Sequence, residues 1–259
     1  MDNVKKLPYI ITMCSGKGGV GKSVLAANLA NLLSMDRKVL VWDADMHFPN
    51  QHLIIGTEPP MRLKDVYAGN ISVEAAVHAV TENFHLLADM PATGDNEPFD
   101  PSPIQSVYDE LISNFDYDVI IIDTHAGVSM ESLQCCGLSD LVSVVITDEP
   151  TSLLDAYGLI KILIKIKEKE NIGLLVNNVI DMEDADDMRE KLNQATDNFL
   201  KIKLDFIGYV PYDRIVRQSI IRQELFSNIE PENEATKAVE MLKNKVVAKT
   251  MDMEYNFQE

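Results

Sequence analysis

Seven short apolar runs punctuate the chain: Tyr9–Cys14, Lys38–Asp43, Phe84–Ala88, Asp118–Asp123, Leu141–Ile146, Ile172–Asn177 and Leu204–Val210. Several are nearly unbroken Val, Ile and Leu instead of alternating apolar and polar positions. Strands buried on both faces read that way, which predicts a parallel sheet covered by helices. Helical patterns lie between the runs. Lys22–Ser34 carries a stripe of Leu25, Leu29, Leu32 and Leu33, and Ser152–Glu170 carries Leu153, Tyr157, Ile160 and Ile164. Residues 183–200 open with Glu183, Asp184, Asp186 and Asp187, negative charge that suits a helix N-terminus. Strands alternating with helices predict βαβ units. The expected fold is α/β, a doubly wound and mostly parallel sheet with helices on both faces. The expected organisation is a single domain over 1–259, its core at about 9–250, with a short acidic C-terminal tail. Asp89–Pro103, with four prolines, reads as a long surface loop.

Charge narrows the function classes. The 23 Lys and Arg against 41 Asp and Glu give a formal charge of −18. A field of that sign repels phosphate backbones unless a local basic patch intervenes, so DNA is disfavoured as a bulk partner. The chain is 46% hydrophobic and 25% charged, which rules out disorder, collagen and coiled coil for the whole of it. Cys14, Cys135 and Cys136 form no C-x-x-C pair and point to reduced, cytoplasmic chemistry. No run approaches the ~20 apolar residues of a membrane span.

Candidate chemistry begins at Gly16-Lys17-Gly18-Gly19-Val20-Gly21-Lys22-Ser23, followed by Val24. The segment fits G-x-x-x-x-G-K-[ST] and sits between the first strand and the first helix, the context that motif requires. Glycines let successive backbone N–H groups point at phosphate oxygens, and the helix N-terminus adds partial positive charge. Lys22 is expected at the β- and γ-phosphates of ATP, and the Ser23 hydroxyl on Mg²⁺. The second run ends in Asp43-Ala44-Asp45, whose carboxylates point to one side of an extended chain at a strand C-terminus, where ligands bind in open α/β sheets. Val119–Asp123 has the Walker B form, four apolar residues and one Asp, a carboxylate suited to holding a Mg²⁺-bound water. Asn177 and Asn178 end a later strand, and an amide pairs with adenine through one acceptor and one donor. No N-K-x-D guanine reader is present, so ATP is preferred over GTP.

Lys17 inside K-G-G-V-G-K-S is a deviant Walker A signature, and here the sequence resembles the MinD/ParA family of ATPases. The resemblance implies that Lys17 reaches across a dimer interface to the phosphates of the other subunit. It implies that Asp45 orients the attacking water and that Asp43 and Asp123 support the Mg²⁺ shell. Asn50 then belongs to the first switch and the dimer interface. Asn177 reads the base, with Asn178 as fallback, and the Val210-Pro211-Tyr212-Asp213 loop closes over it, bringing in Pro211 and Asp213. His47 and Pro49 stand where relatives often carry Gly and Arg. Thr124-His125-Ala126-Gly127 resembles the second switch, with His125 where relatives place Gly or Pro. A solvent-facing substitution without catalytic role is the favoured reading of His125; a pH-sensitive or partner-contacting residue is the alternative.

Two further segments, Thr147–Tyr157 with its E-P-T-x-x-x-D-A-Y run and Leu204–Arg217, resemble the FlhG branch, the flagellar-number ATPases. That likeness implies an ATP-dependent dimerisation switch controlling the number or placement of a cellular structure, flagella foremost. Hydrolysis is then slow, Mg²⁺-dependent and stimulated by a partner. Implied partners are a second copy of the chain and flagellar assembly proteins such as the SRP-type GTPase FlhF or switch-complex proteins. The D-Q-A-x-x-L-R motif common in that branch does not occur, which weakens contact through it. Residues 235–250 alternate Ala238, Val239, Leu242 and Val246 with Lys237, Lys243, Lys245 and Lys249. A helix packed on the sheet is favoured for them over one lying on the inner face of the membrane. A ParA-type DNA or cargo segregation ATPase is the alternative function, with Arg214, Arg217 and Arg222 as its basic patch. A metal-cluster carrier would need an interfacial cysteine pair, which adjacent Cys135 and Cys136 do not supply.

Overall fold

The computed structural model describes residues 6–89, 102–167, 169 and 171–256. The chain runs β1 (Tyr9–Cys14), α1 (Lys22–Leu33), β2 (Val39–Ala44), α2 (Gln51–Ile55), α3 (Leu63–Tyr67), α4 (Val73–Ala76), β3 (His78–Ala79) and β4 (Phe84–Leu87). It continues with α5 (Ser102–Asn114), β5 (Val119–Thr124), α6 (Met130–Leu138), β6 (Leu141–Ile146), α7 (Pro150–Lys167) and β7 (Ile172–Val179). Last come α8 (Met182–Leu200), β8 (Asp205–Pro211), α9 (Arg214–Arg222), α10 (Phe226–Ile229) and α11 (Glu234–Asn256). The strands form one sheet in the order β3-β4-β2-β5-β1-β6-β7-β8. All its pairs are parallel except β3 with β4. The doubly wound α/β expectation is met. Residues 90–101 of the expected loop lie outside the described residues, as does the end of the acidic tail, and the loop ends earlier than expected because Ser102 and Pro103 begin α5.

Alternation along the central strands assigns the two faces. Tyr9, Ile11, Met13, Val39, Val41, Val119 and Ile121 share one apolar cluster with α1 and α11. Ile10, Leu40, Trp42, Ile120 and Ile122 point to the other side, against α5. The second half of the sheet packs on α7 and α8 through Val142, Val144, Leu174 and Val176. Both faces are dry, which is why these strands lack polar alternation.

The ends of the helices follow local chemistry. Asp181 caps α8, its carboxylate accepting the N–H groups of Glu183 and Asp184 at 2.9 and 3.1 Å. α11 spends its apolar side inward: Ala235, Val239, Leu242 and Val246 are buried. Two of its lysines reach other parts of the chain. Lys243 pairs with Asp36 at 3.6 Å, and Lys245 donates to the carbonyls of Phe206 and Ile207 at 3.4 and 3.0 Å. The packed-helix reading of residues 235–250 matches this arrangement. Among the described residues no helix is long and apolar enough to cross a membrane.

Candidate nucleotide site

β1 lies between β5 and β6, so the chain winds away from it in both directions. A crevice opens at such a point above the strand C-termini, and the glycine-rich loop sits there. Two glycines are required by their neighbours. A Cβ on Gly16 would lie 2.4 Å from the backbone carbon of Asp155. Gly21 has φ +88°, and a Cβ on it would lie 2.3 Å from Asn177 Nδ2. The loop is therefore pressed against α7 on one side and β7 on the other. Its curl ends at the first turn of α1, with Lys22 and Ser23.

Lys22 is turned inward. Its ammonium donates to Asp123 Oδ1 at 2.7 Å, with the two side chains 8% and 1% exposed. Gln51 joins them, its Nε2 donating to Asp123 Oδ2 at 2.8 Å and to the Ser23 carbonyl at 3.0 Å. Asp43 faces Asp123 across the β2–β5 register. Its carboxylate accepts the backbone N–H groups of Asn50 and Gln51 at 2.9 and 3.0 Å and of Asp45 at 3.2 Å. Burial, then the neighbouring Asp123, push the Asp43 carboxyl well above the ordinary range, against the pull of those three N–H groups. The buried ammonium thus pairs with Asp123, and Asp43 lies beside that pair on three backbone N–H groups.

Those features are a fair test of a phosphate–Mg²⁺ group. Gly16 and Gly21 hold the loop close against α7 and β7, and two acidic side chains, Asp43 and Asp123, are buried side by side beside Lys22. The buried Oδ1 of Asn50 and Oε1 of Gln51 have no hydrogen-bond partner among the described residues. No group of three or more His, Cys, Asp and Glu among the described residues is placed to hold a metal on its own. A hydrated Mg²⁺ carried largely by phosphates fits such a donor set.

Lys17 is placed differently. It projects at the surface, 35% exposed, and its ammonium donates to the Glu149 carboxylate and, at 3.2 Å, to Thr151 Oγ1. Asp45 lies just beyond β2, 13% exposed, with its Oδ1 accepting the N–H groups of His47 and Phe48 at 3.3 and 3.0 Å. His125 Nδ1 lies 3.2 Å from both oxygens of Asp45. His125 is thus half-exposed yet bonded across the crevice, a contact the solvent-facing reading did not include. The His47 and His125 rings lie 5.8 Å apart between centroids.

The other end of the crevice is a cavity of about 240 Å³ lined by the loop, Val24, Asn177, Pro211, Asp213 and Arg217. Asn177 Nδ2 donates to the Val20 carbonyl at 2.7 Å. Asn178 has φ +62°, a conformation Asn tolerates better than most residues. Asp213 caps α9 by accepting the Ile215 N–H at 2.9 Å. The structure therefore gathers the motif residues expected at one site into one crevice. Gln51, Glu149 and Thr151 were not singled out as site residues. Glu149 and Thr151 lie inside the quoted E-P-T run, but Gln51 carries no spacing signal. The three cysteines are free and buried. Cys135 and Cys136 enter the clusters on α5 and α7 respectively, so neither presents a thiol at the surface.

Residues 11–226 match the CobQ/CobB/MinD/ParA nucleotide binding domain, and the chain belongs to that family. It is 29% identical to the antiactivator FleN of Pseudomonas aeruginosa, covering 92% of this chain and 85% of that one. It is 26% identical to the flagellum site-determining protein YlxH of Helicobacter pylori, covering 92% and 82%. Among solved structures, the septum site-determining protein MinD of Pyrococcus horikoshii, complexed with Mg-ADP, superposes with a TM-score of 0.78. That pair is 26% identical and covers 93% of this chain and 96% of the other.

Proposed function

We propose that the protein is a Mg²⁺-dependent ATPase that works as a dimerisation switch, closing as a pair with ATP and reopening after slow hydrolysis. The observation that carries this reading is the contrast between two lysines of one loop. Lys22 is buried on Asp123, whereas Lys17 stands at the surface on exposed partners. A buried lysine serves its own site. A surface lysine held by Glu149 and Thr151 is free to exchange those partners for phosphate oxygens in a second copy.

The residue roles are those the family resemblance implies, and the positions of the side chains support them. Lys22 leaves Asp123 for the phosphates, and the loop N–H groups bind oxygens without needing side chains. Ser23, Asp43 and Asp123 would hold Mg²⁺, which when bound offsets the charge of the phosphate oxygens. Asp45 orients the attacking water. Asn177 lines the base cavity and commits one of its two Nδ2 hydrogens to Val20, which leaves its second N–H and Oδ1 as a donor and an acceptor. That acceptor suits the exocyclic amine of adenine and the donor its ring nitrogen, the pairing by which Asn177 reads ATP.

The flagellar reading is supported by the likeness to FleN and YlxH. Its test is capture from the native cytosol by the Asp45→Ala protein, in ATP and in ADP, read by mass spectrometry. ATP-selective recovery of flagellar assembly proteins is expected. Recovery of a centromere-binding or other cargo adaptor would replace the target. A second reading has one observation behind it: Arg214, Arg217 and Arg222 are all exposed on α9. ATP-dependent, salt-sensitive retention on DNA would favour segregation instead.

A further inference from the structure

Asp45 and His125 meet because of the sheet. β2 and β5 pair with Asp43 opposite Asp123 and Ala44 opposite Thr124, so residues 45 and 125 are the next across as the two strands end. Both backbones are held. The turn after Asp45 folds back so that His47 and Phe48 donate their N–H groups to Asp45 Oδ1. On the other side, the His125 carbonyl accepts Ser132 Oγ at 3.3 Å from the first turn of α6, and the Gly127 N–H donates to the Ser15 carbonyl at 2.8 Å.

A carboxylate tied through one oxygen pivots about that tie. Here Oδ1 is tied to its own turn, and Nδ1 of His125 straddles both oxygens at 3.2 Å, which fixes the plane of the group. The carboxylate has about four lone-pair sites, and these donors leave room at Oδ2. A fixed acceptor with one open lone pair orients a water better than a rotating one, because less reorganisation accompanies the reaction. The alternative, that the ring covers Asp45 and blocks it, is disfavoured by that remaining capacity.

We propose that His125 is a positioning residue for ATP hydrolysis, which sets the Asp45 carboxylate by a hydrogen bond bridging the loops after β2 and β5. The inference rests on the reading of Asp45 as the residue that orients water. His125 makes the contact as a donor at Nδ1, and it touches neither phosphate nor water in this role.

The test is steady-state ATP hydrolysis by the full-length protein with His125→Ala, His125→Asn and Asp45→Ala, kcat and KM measured separately. Losing such a supporting bond lowers activity roughly 10–100-fold. His125→Ala is expected near the lower end of that range in kcat, with KM for ATP unchanged. His125→Asn, whose amide N–H reaches nearly the same place, is expected to recover most of the loss. In the Asp45→Ala background His125→Ala should add nothing. An unchanged or raised kcat in His125→Ala, with Asp45→Ala inactive, overturns the positioning role and leaves the reading of Asp45 intact. Equal losses in His125→Ala and His125→Asn assign the effect to ring packing and also overturn it. An active Asp45→Ala overturns the reading beneath the inference.

Discussion

The two ends of the crevice, which the proposed function assigns to the phosphates and the base, are built on different physics. At the phosphate end, charged and polar groups are buried and cross-tied: Lys22, Asp123, Gln51 and Asp43 form a continuous set of bonds across α1, β5, α2 and β2. At the base end the cavity is open, Tyr212 is 62% exposed beside it and Ile220 48%. One amide bond, from Asn177 to Val20, joins the base end to the loop. A buried charge without its partner is costly, so the phosphate end tolerates little change. The base end is held by apolar contact and a few polar groups, so change there costs less.

The largest effect is expected at the phosphate end. Lys22→Ala removes the buried cation that pairs with Asp123, and hydrolysis should fall by at least about 100-fold. Lys22→Arg should fail as well, because the forked guanidinium does not fit a site closed around an ammonium. Single-turnover hydrolysis checks both, and an active Lys22→Ala would break the contrast. At the base end, Asn177→Ala should weaken ATP binding about tenfold, equivalent to about 1.4 kcal/mol. Tripolyphosphate, which has no base, should compete equally well against the variant and the parent in nucleotide-displacement titrations. A loss of tripolyphosphate binding would mean that Asn177 acts through the loop at Gly21 instead of on the base. The smallest effect concerns Asp213. Removing its cap in Asp213→Ala should cost about 1 kcal/mol in urea unfolding, with kcat little changed.

Legibility in the sequence follows the same division. The seven long strands were readable because burial on both faces leaves an uninterrupted apolar run in the central ones, and observed ends differ by two residues at most. β3 was not, since two residues on an antiparallel edge leave no pattern. Nor were α2, α3, α4 and α10, helices of four or five residues too short to show a 3.6-residue period. The glycine-rich loop was legible as a motif between β1 and α1, and the close approaches of Gly16 to the Asp155 backbone and of Gly21 to Asn177 show why two of its glycines are needed. Gln51 and the His125–Asp45 bond were not. Both depend on which strands become neighbours, and β2 beside β5 joins residues some 80 apart in sequence.

The central claim is a switch in association state, and Lys17 is where it is most exposed to test. The direct measurement is sedimentation velocity of the Asp45→Ala protein in Mg-ATP and in Mg-ADP, repeated with Lys17→Ala added. A dimer in ATP, a monomer in ADP and a monomer in both nucleotides once Lys17 is removed is the predicted result. The same association state in ATP and ADP, or an undiminished ATP dimer without Lys17, would contradict the account.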